Sequence, residues 1–105
     1  MSTSKALFVV GQLVHHKCFD YRSVIIDVDA EFHGTDDWYT QVASSKPPKD
    51  NPWYHVLVDE SDLKTYVAQR NLEPDETDEP VRHPDVRMYF SGLTDEGYTI
   101  RRQDN

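Results

Sequence analysis

The chain has 105 residues, 37% of them hydrophobic and 11% aromatic, which suits one domain with its own core and is too aromatic for a disordered chain. Its 11 Lys and Arg stand against 19 Asp and Glu, a net charge of −8 that disfavours nucleic acid at long range. The single cysteine, Cys18, excludes an internal disulfide and a cysteine-rich zinc site; the longest apolar run, Ala6-Leu7-Phe8-Val9-Val10, is too short for a transmembrane helix or a signal-peptide core, so a cytoplasmic protein is expected.

Residues 1–6 read as a flexible N-terminus, 7–100 as the domain and 101–105 as a tail. Gly11 breaks the first apolar run, and Gln12-Leu13-Val14-His15-His16-Lys17 follows as a strand. Ser23–Asp29 is a second strand, its alternation placing Val24, Ile26 and Val28 on one face and Asp27 on the other. Asp36 or Asp37 is positioned to cap a short helix over 38–43, with Trp38 and Val42 on one face, and Lys46–Pro52 ends it as an extended linker. Trp53–Asp59 is a third strand in which Tyr54, Val56 and Val58 alternate against Trp53, His55 and Leu57. Asp59-Glu60-Ser61-Asp62 turns the chain into a hairpin partner at Leu63–Ala68.

The stretch Glu73–Pro80 holds five acidic residues, two prolines and no apolar side chain, which predicts an exposed loop. Pro84 opens a short helix carrying Val86, Tyr89 and Phe90 on one face, with Gly92 placed to close it, and Tyr98–Ile100 is a last short strand. Short strands with one inserted helix predict a mainly β fold, a small, partly open barrel with its two inward rows in one core.

Six pieces in this order carry a resemblance. They are Phe8–His16, Tyr21–Asp29, Asp36-Asp37-Trp38-Tyr39, Asn51–Val58, Tyr66–Leu72, and Val81-Arg82-His83-Pro84 with Tyr89-Phe90. Over residues 7–100 the sequence resembles the bacterial heat-shock HspQ family, whose domain is also termed the YccV-like hemimethylated-DNA-binding domain. The resemblance implies an SH3-like barrel and no catalysis. It also implies a stress-response role with the Lon protease in degrading unstable proteins, such as the replication initiator DnaA, or the binding of hemimethylated DNA. The chain departs from the family where a Gly often precedes the valine of the second strand; Ser23 stands there and needs an ordinary strand conformation. The loop around Glu31–Gly34 is also its own.

The residues themselves point to binding rather than chemistry. His15 and His16 are strand neighbours that face opposite sides, and His33, His55 and His83 fall in no chelating motif. The Asp27-x-Asp29 and Asp36-Asp37 pairs lack a phosphate loop beside them and read as solvated carboxylates. Cys18 reads as a structural or surface thiol. No catalytic residue, metal or cofactor is expected. Most aromatics are expected in the core, with Trp53 or Tyr54 partly exposed. Lys17, Arg22, Lys46, Lys49, Lys64 and Arg70 read as scattered solubilising charges rather than one patch. If DNA or a partner is bound, the candidate contacts are Lys17, Arg22, Lys46, Lys49, Arg70 and Trp53, and the candidate acidic docking loop is Asp75, Glu76, Asp78 and Glu79. The implied partners are a Lon-type protease with its clients, or hemimethylated DNA; no membrane is implied, and homo-oligomerisation is left open.

Overall fold

The computed structural model describes residues 5–42 and 46–101, without the Val42 side chain. The expected flexibility of 1–4, the tail at 102–105 and the pairing of Trp38 with Val42 therefore lie outside the described residues. Among the described residues no helix is long and apolar enough to cross a membrane. The fold is mainly β. Strands β1 (Leu13–His16), β2 (Arg22–Asp29), β3 (Trp53–Val58), β4 (Lys64–Ala68) and β5 (Leu72–Pro74) form an antiparallel sheet in the order β4-β3-β2-β1-β5. Strands β6 (Phe90–Thr94) and β7 (Gly97–Ile100) form a separate hairpin.

The sheet has to curl. Strands β4 and β5 stand at its opposite edges, yet only the three-residue 3-10 turn Gln69–Asn71 joins them. In a flat sheet those edges would be about 19 Å apart at roughly 4.8 Å per strand. The connection reaches at most about 14 Å fully extended, and less as a 3-10 turn. The result is an open barrel in which no ladder joins β4 to β5 among the described residues. Its inside is a cluster with members from all five strands: Val14, Ile25, Tyr54, Val56, Val67 and Leu72, plugged by Phe8 from the N-terminal run. That run is not a strand; it leaves Leu7 and Val9 exposed, while the Leu7 and Phe8 amides donate to the Tyr54 hydroxyl.

The strand rows divide between two cores rather than sharing one. The ladder between β2 and β3 shifts between Ile25 and Asp27, so Ile26 is the extra residue of a β-bulge. Val24 and Ile26 pack on the outer face, and Val28 joins Ile25 on the inner one, which corrects the single row expected from alternation. The outer core also holds Leu13, Leu57, Val81 and Phe90. It is covered by α2 (Val86–Tyr89) and the β6–β7 hairpin through Val86, Tyr89, Leu93 and Tyr98. Helix α2 ends at Tyr89, because Phe90 is already extended at φ −131°, ψ 148°, and Gly92 lies within β6 instead of closing the helix. The hairpin sits tightly on the barrel at Gly11, where φ is +94° and a Cβ would come 2.3 Å from the Tyr98 carbonyl oxygen; only glycine fits that approach.

Helix α1 (Asp36–Val42) is capped one residue earlier than expected, by Thr35, whose Oγ1 accepts the Trp38 amide at 3.1 Å. Asp36 and Asp37 fill the first turn, where carboxylates favour the helix dipole.

Ser23 takes the expected strand conformation, opposite Val14 and Val58, fully buried, and its Oγ has no hydrogen-bond partner. A buried hydroxyl without a partner costs about 1–3 kcal/mol. Ser23→Ala is therefore expected to raise stability by about 1 kcal/mol, read as a higher urea midpoint at unchanged slope. A lower midpoint would show that the hydroxyl contributes favourably.

Candidate functional site

The open edge of the barrel carries a groove of about 530 Å³. Every residue of β4 lines it, Thr65 and Val67 from one face and Lys64, Tyr66 and Ala68 from the other, so the groove straddles the strand edge. Across from β4 stand Phe19 and Tyr21 from the β1–β2 turn, and beyond it stand Trp38 and His55. None of the chain's 19 carboxylates lines it among the described residues.

The walls are preorganised. On the far side the insertion packs as an aromatic cluster centred on Phe32, whose ring lies 4.9 Å from Trp53, 5.4 Å from Tyr39 and 5.9 Å from both Trp38 and Tyr66. The loop Glu31–Gly34 thus supplies the hub of the aromatic cluster behind one groove wall. Tyr39 and Trp53 fasten the linker by donating to the Pro47 carbonyl at 2.6 Å and the Pro48 carbonyl at 3.1 Å. Asp29 holds the next pair: the Tyr66 hydroxyl donates to its Oδ2 at 2.6 Å, and His55 Nε2 lies 3.1 Å from the same atom with its ring 4.4 Å from Tyr66. Burial opposes ionisation of Asp29, but the Tyr66 and His55 hydrogen bonds outweigh it and hold the carboxyl below its usual value. Burial and the bond to Asp29 push the Tyr66 hydroxyl well above the usual tyrosine range. Asp27, Asp29 and His55 bring potential metal-ligand atoms within 4.8 Å of one another, but Asp29 is already engaged by Tyr66 and His55.

The near wall is set by the histidine pair, whose rings do face opposite sides. His16 is buried, and its Nδ1 accepts the amides of Cys18 and Phe19, both at 3.1 Å, which places the proton of the neutral ring on Nε2. Its ring stacks 4.7 Å from Phe19 and lies 5.0 Å from Tyr21. This bracing presents the Phe19 ring to solvent, 71% exposed. His15 points outward between Asp20 at 2.6 Å and Glu73 at 2.7 Å.

The two rings should titrate on opposite sides of the ordinary histidine value. Hydrogen bonds to Asp20 and then Glu73 raise His15, whereas burial, and then the charge of His15, lowers His16. The contribution of His15 to stability is complete below about pH 6.5 and is lost as pH rises through its raised folded value. That of His16 is present above about pH 6.5 and is lost as pH falls through its lowered one. NMR titration of the ring protons should resolve both shifts; a shared midpoint would remove the bracing role of His16.

The sequence-based candidates separate in space. Lys17, Lys46 and Arg70 are exposed and adjoin the lining residues Cys18, Pro47 and Asn71, and Lys64 lines the groove itself. Lys49 pairs with Asp36 at 3.0 Å and lies 4.4 Å from the Tyr39 ring centre. Lys64 pairs with Asp85 at 3.2 Å, and hydrogen bonds to Asp85 and then Tyr89 raise its pKa. Trp53 and Tyr54, expected partly exposed, are 1% and 0% exposed. Trp53 is covered by its aromatic neighbours, which rules out open-face base stacking on that ring.

Arg22 is not an open cation. Its guanidinium pairs with both carboxylate oxygens of Asp75 at 3.1 Å and with Asp59 at 3.0 Å, and it donates to the carbonyls of Glu79 and Pro80. The acidic loop is consequently anchored at its middle: the Asp75 side chain is only 4% exposed, against the expectation of a wholly solvent-facing loop, while Glu76, Asp78 and Glu79 are exposed. The residues missed from sequence are Phe19, Trp38 and Tyr66. A lone aromatic within Lys17-Cys18-Phe19-Asp20, a polar turn, was the one available signal for them.

The model of the family described as "Hemimethylated DNA-binding protein YccV like" matches residues 6–97.

Proposed function

Since the chain belongs to the YccV-like family, a family of binding domains rather than enzymes, we propose that it is a non-enzymatic stress-response factor that promotes regulated proteolysis. Its groove holds exposed apolar segments of unstable proteins, with replication initiators of the DnaA kind among them, and brings them to a Lon-type protease. The observation that supports this is an aromatic groove lined by no carboxylate among the described residues, on a chain of net charge −8. Such a surface gains by desolvating apolar side chains, and Phe19, already exposed, loses nothing by being covered. The exposed carboxylates of Glu76, Asp78 and Glu79 serve as the acidic surface that steers the encounter with the protease.

Hemimethylated DNA is the second reading, and the description of the matching family model, with Lys64 lining the groove, favours it. Duplex binding depends on several phosphate contacts made together, and a net charge of −8, with Arg22 committed internally, opposes them. Weak, steeply salt-dependent duplex binding is expected.

Fluorescence anisotropy with labelled, reduced and carboxymethylated α-lactalbumin, and with hemimethylated, methylated and unmodified duplexes at two salt concentrations, tests the ranking. The unfolded polypeptide should bind, Phe19→Ala should weaken it on the order of tenfold without changing the melting temperature, and the protease should degrade the bound polypeptide faster. Submicromolar, hemimethyl-selective duplex binding at about 0.15 M salt, with no polypeptide binding, would reverse it.

A further inference from the structure

We infer that the ligand of the groove docks as an added strand on β4, and that it is an extended segment whose apolar side chains enter the aromatic sides of the groove. This rests on the polypeptide-binding role proposed above and names the partner's form. Strand β4 is the edge of the sheet. Its register on β3 runs from Trp53 opposite Ala68 to Leu57 opposite Lys64, and it is flanked by two backbone bonds, Val58 N–H to the Leu63 carbonyl and Gln69 N–H to the Pro52 carbonyl, both 3.0 Å. In an antiparallel ladder these bonds alternate, so the Leu63 carbonyl, both backbone groups of Thr65 and Val67, and the Gln69 amide point toward β3. The amides of Lys64, Tyr66 and Ala68 and the carbonyls of Lys64 and Tyr66 then point away from it, and no other hydrogen bond among the described residues takes them up.

An edge of this kind is a template for another strand. Here it is not blunted by proline or a bulge, and it lies in a groove whose two sides receive alternate side chains: Phe19 and Tyr21 on one, Trp38 and Tyr66 on the other. Both sides of the groove are aromatic, so apolar side chains of an extended segment are the groups they cover best.

The probe is an end-capped nonapeptide alternating Leu or Phe with Ser or Thr, titrated into the isotope-labelled full chain. Binding should slow hydrogen exchange at the Lys64, Tyr66 and Ala68 amides at least tenfold. Two versions of the peptide, N-methylated on alternate sets of residues, should separate, one losing binding at least tenfold and the other keeping it. Ala68→Pro removes an outward amide at a position whose φ of −70° already suits proline, and should weaken binding about tenfold at unchanged stability. Should that variant fold poorly, the two methylated peptides on the unmodified chain decide the matter. Equal binding by both methylated peptides would overturn strand addition and leave the groove's polypeptide role standing. Binding of carboxymethylated α-lactalbumin without binding of the nonapeptide would overturn this inference alone. Hemimethylated duplex bound in place of both would overturn this inference and the role it rests on.

Discussion

Val56→Asp is expected to leave the chain largely unfolded at neutral pH. Val56 is 0% exposed in the middle of β3, paired with Ile25 on one side and Thr65 on the other, inside a cluster drawn from all five strands of the barrel. None of the inner-cluster residues offers a cation or an ionic partner. A carboxylate placed there either stays charged without compensation or takes up a proton. Either way the cost is several kcal/mol, of the same size as the roughly 5–15 kcal/mol that holds a small domain together. Circular dichroism and urea titration measure it. A variant that melts within a degree or two of the parent would mean that the inner row has been placed on the wrong face.

The second large effect is expected at Arg22. Its guanidinium holds β2, the β3–β4 turn and the acidic loop together through Asp59, Asp75 and the carbonyls of Glu79 and Pro80. Asp75 is 4% exposed and Arg22 17%, so removing the cation strands a covered carboxylate. Arg22→Ala should cost about 3–5 kcal/mol at pH 7, and replacing Arg22 and Asp75 together by Met and Leu should recover much of that loss. The pH dependence has a definite sign. Burial would raise the Asp75 carboxyl, but the hydrogen bond and charge of Arg22, with Thr77, hold it below the usual value. Its stabilising contribution is therefore complete above the unfolded value near about pH 4, and is lost as pH falls through the lower folded one. The gap between parent and Arg22→Ala should narrow from pH 7 to pH 3. A gap that stays constant would show that Arg22 acts through packing alone.

The same residue shows where local pattern stops informing. In sequence, Arg22 is one of six scattered cations and Asp75 one of five carboxylates in a proline-flanked polar run; nothing within 50 residues of either one marks the other as its partner. Trp53 is a similar case. Alternation along 53–59 places it correctly on the face opposite Tyr54 and Val56, but whether that face is open depends on Phe32, Trp38 and Tyr39 arriving from an inserted segment.

What the residues determined by themselves was local and periodic. Alternating β-branched and aromatic positions specify β2 and β3, the Asp-Glu-Ser-Asp turn specifies the hairpin to β4, and six ordered pieces carry the family resemblance that the match over residues 6–97 bears out. Those signals survive in one dimension because strand period, turn chemistry and spacing are short-range properties of the chain. The tertiary structure decided the rest: the bulge at Ile26 that transfers Val28 to the other core, the burial of Trp53, the capture of Asp75 by Arg22, and the convergence of Phe19, Tyr66 and Trp38 on one edge. Each of these depends on two covered faces and on the curl that a three-residue link between the outer strands imposes. Burial is a property of what packs against a residue, and segments far apart in the chain supply that packing only after the sheet has curled.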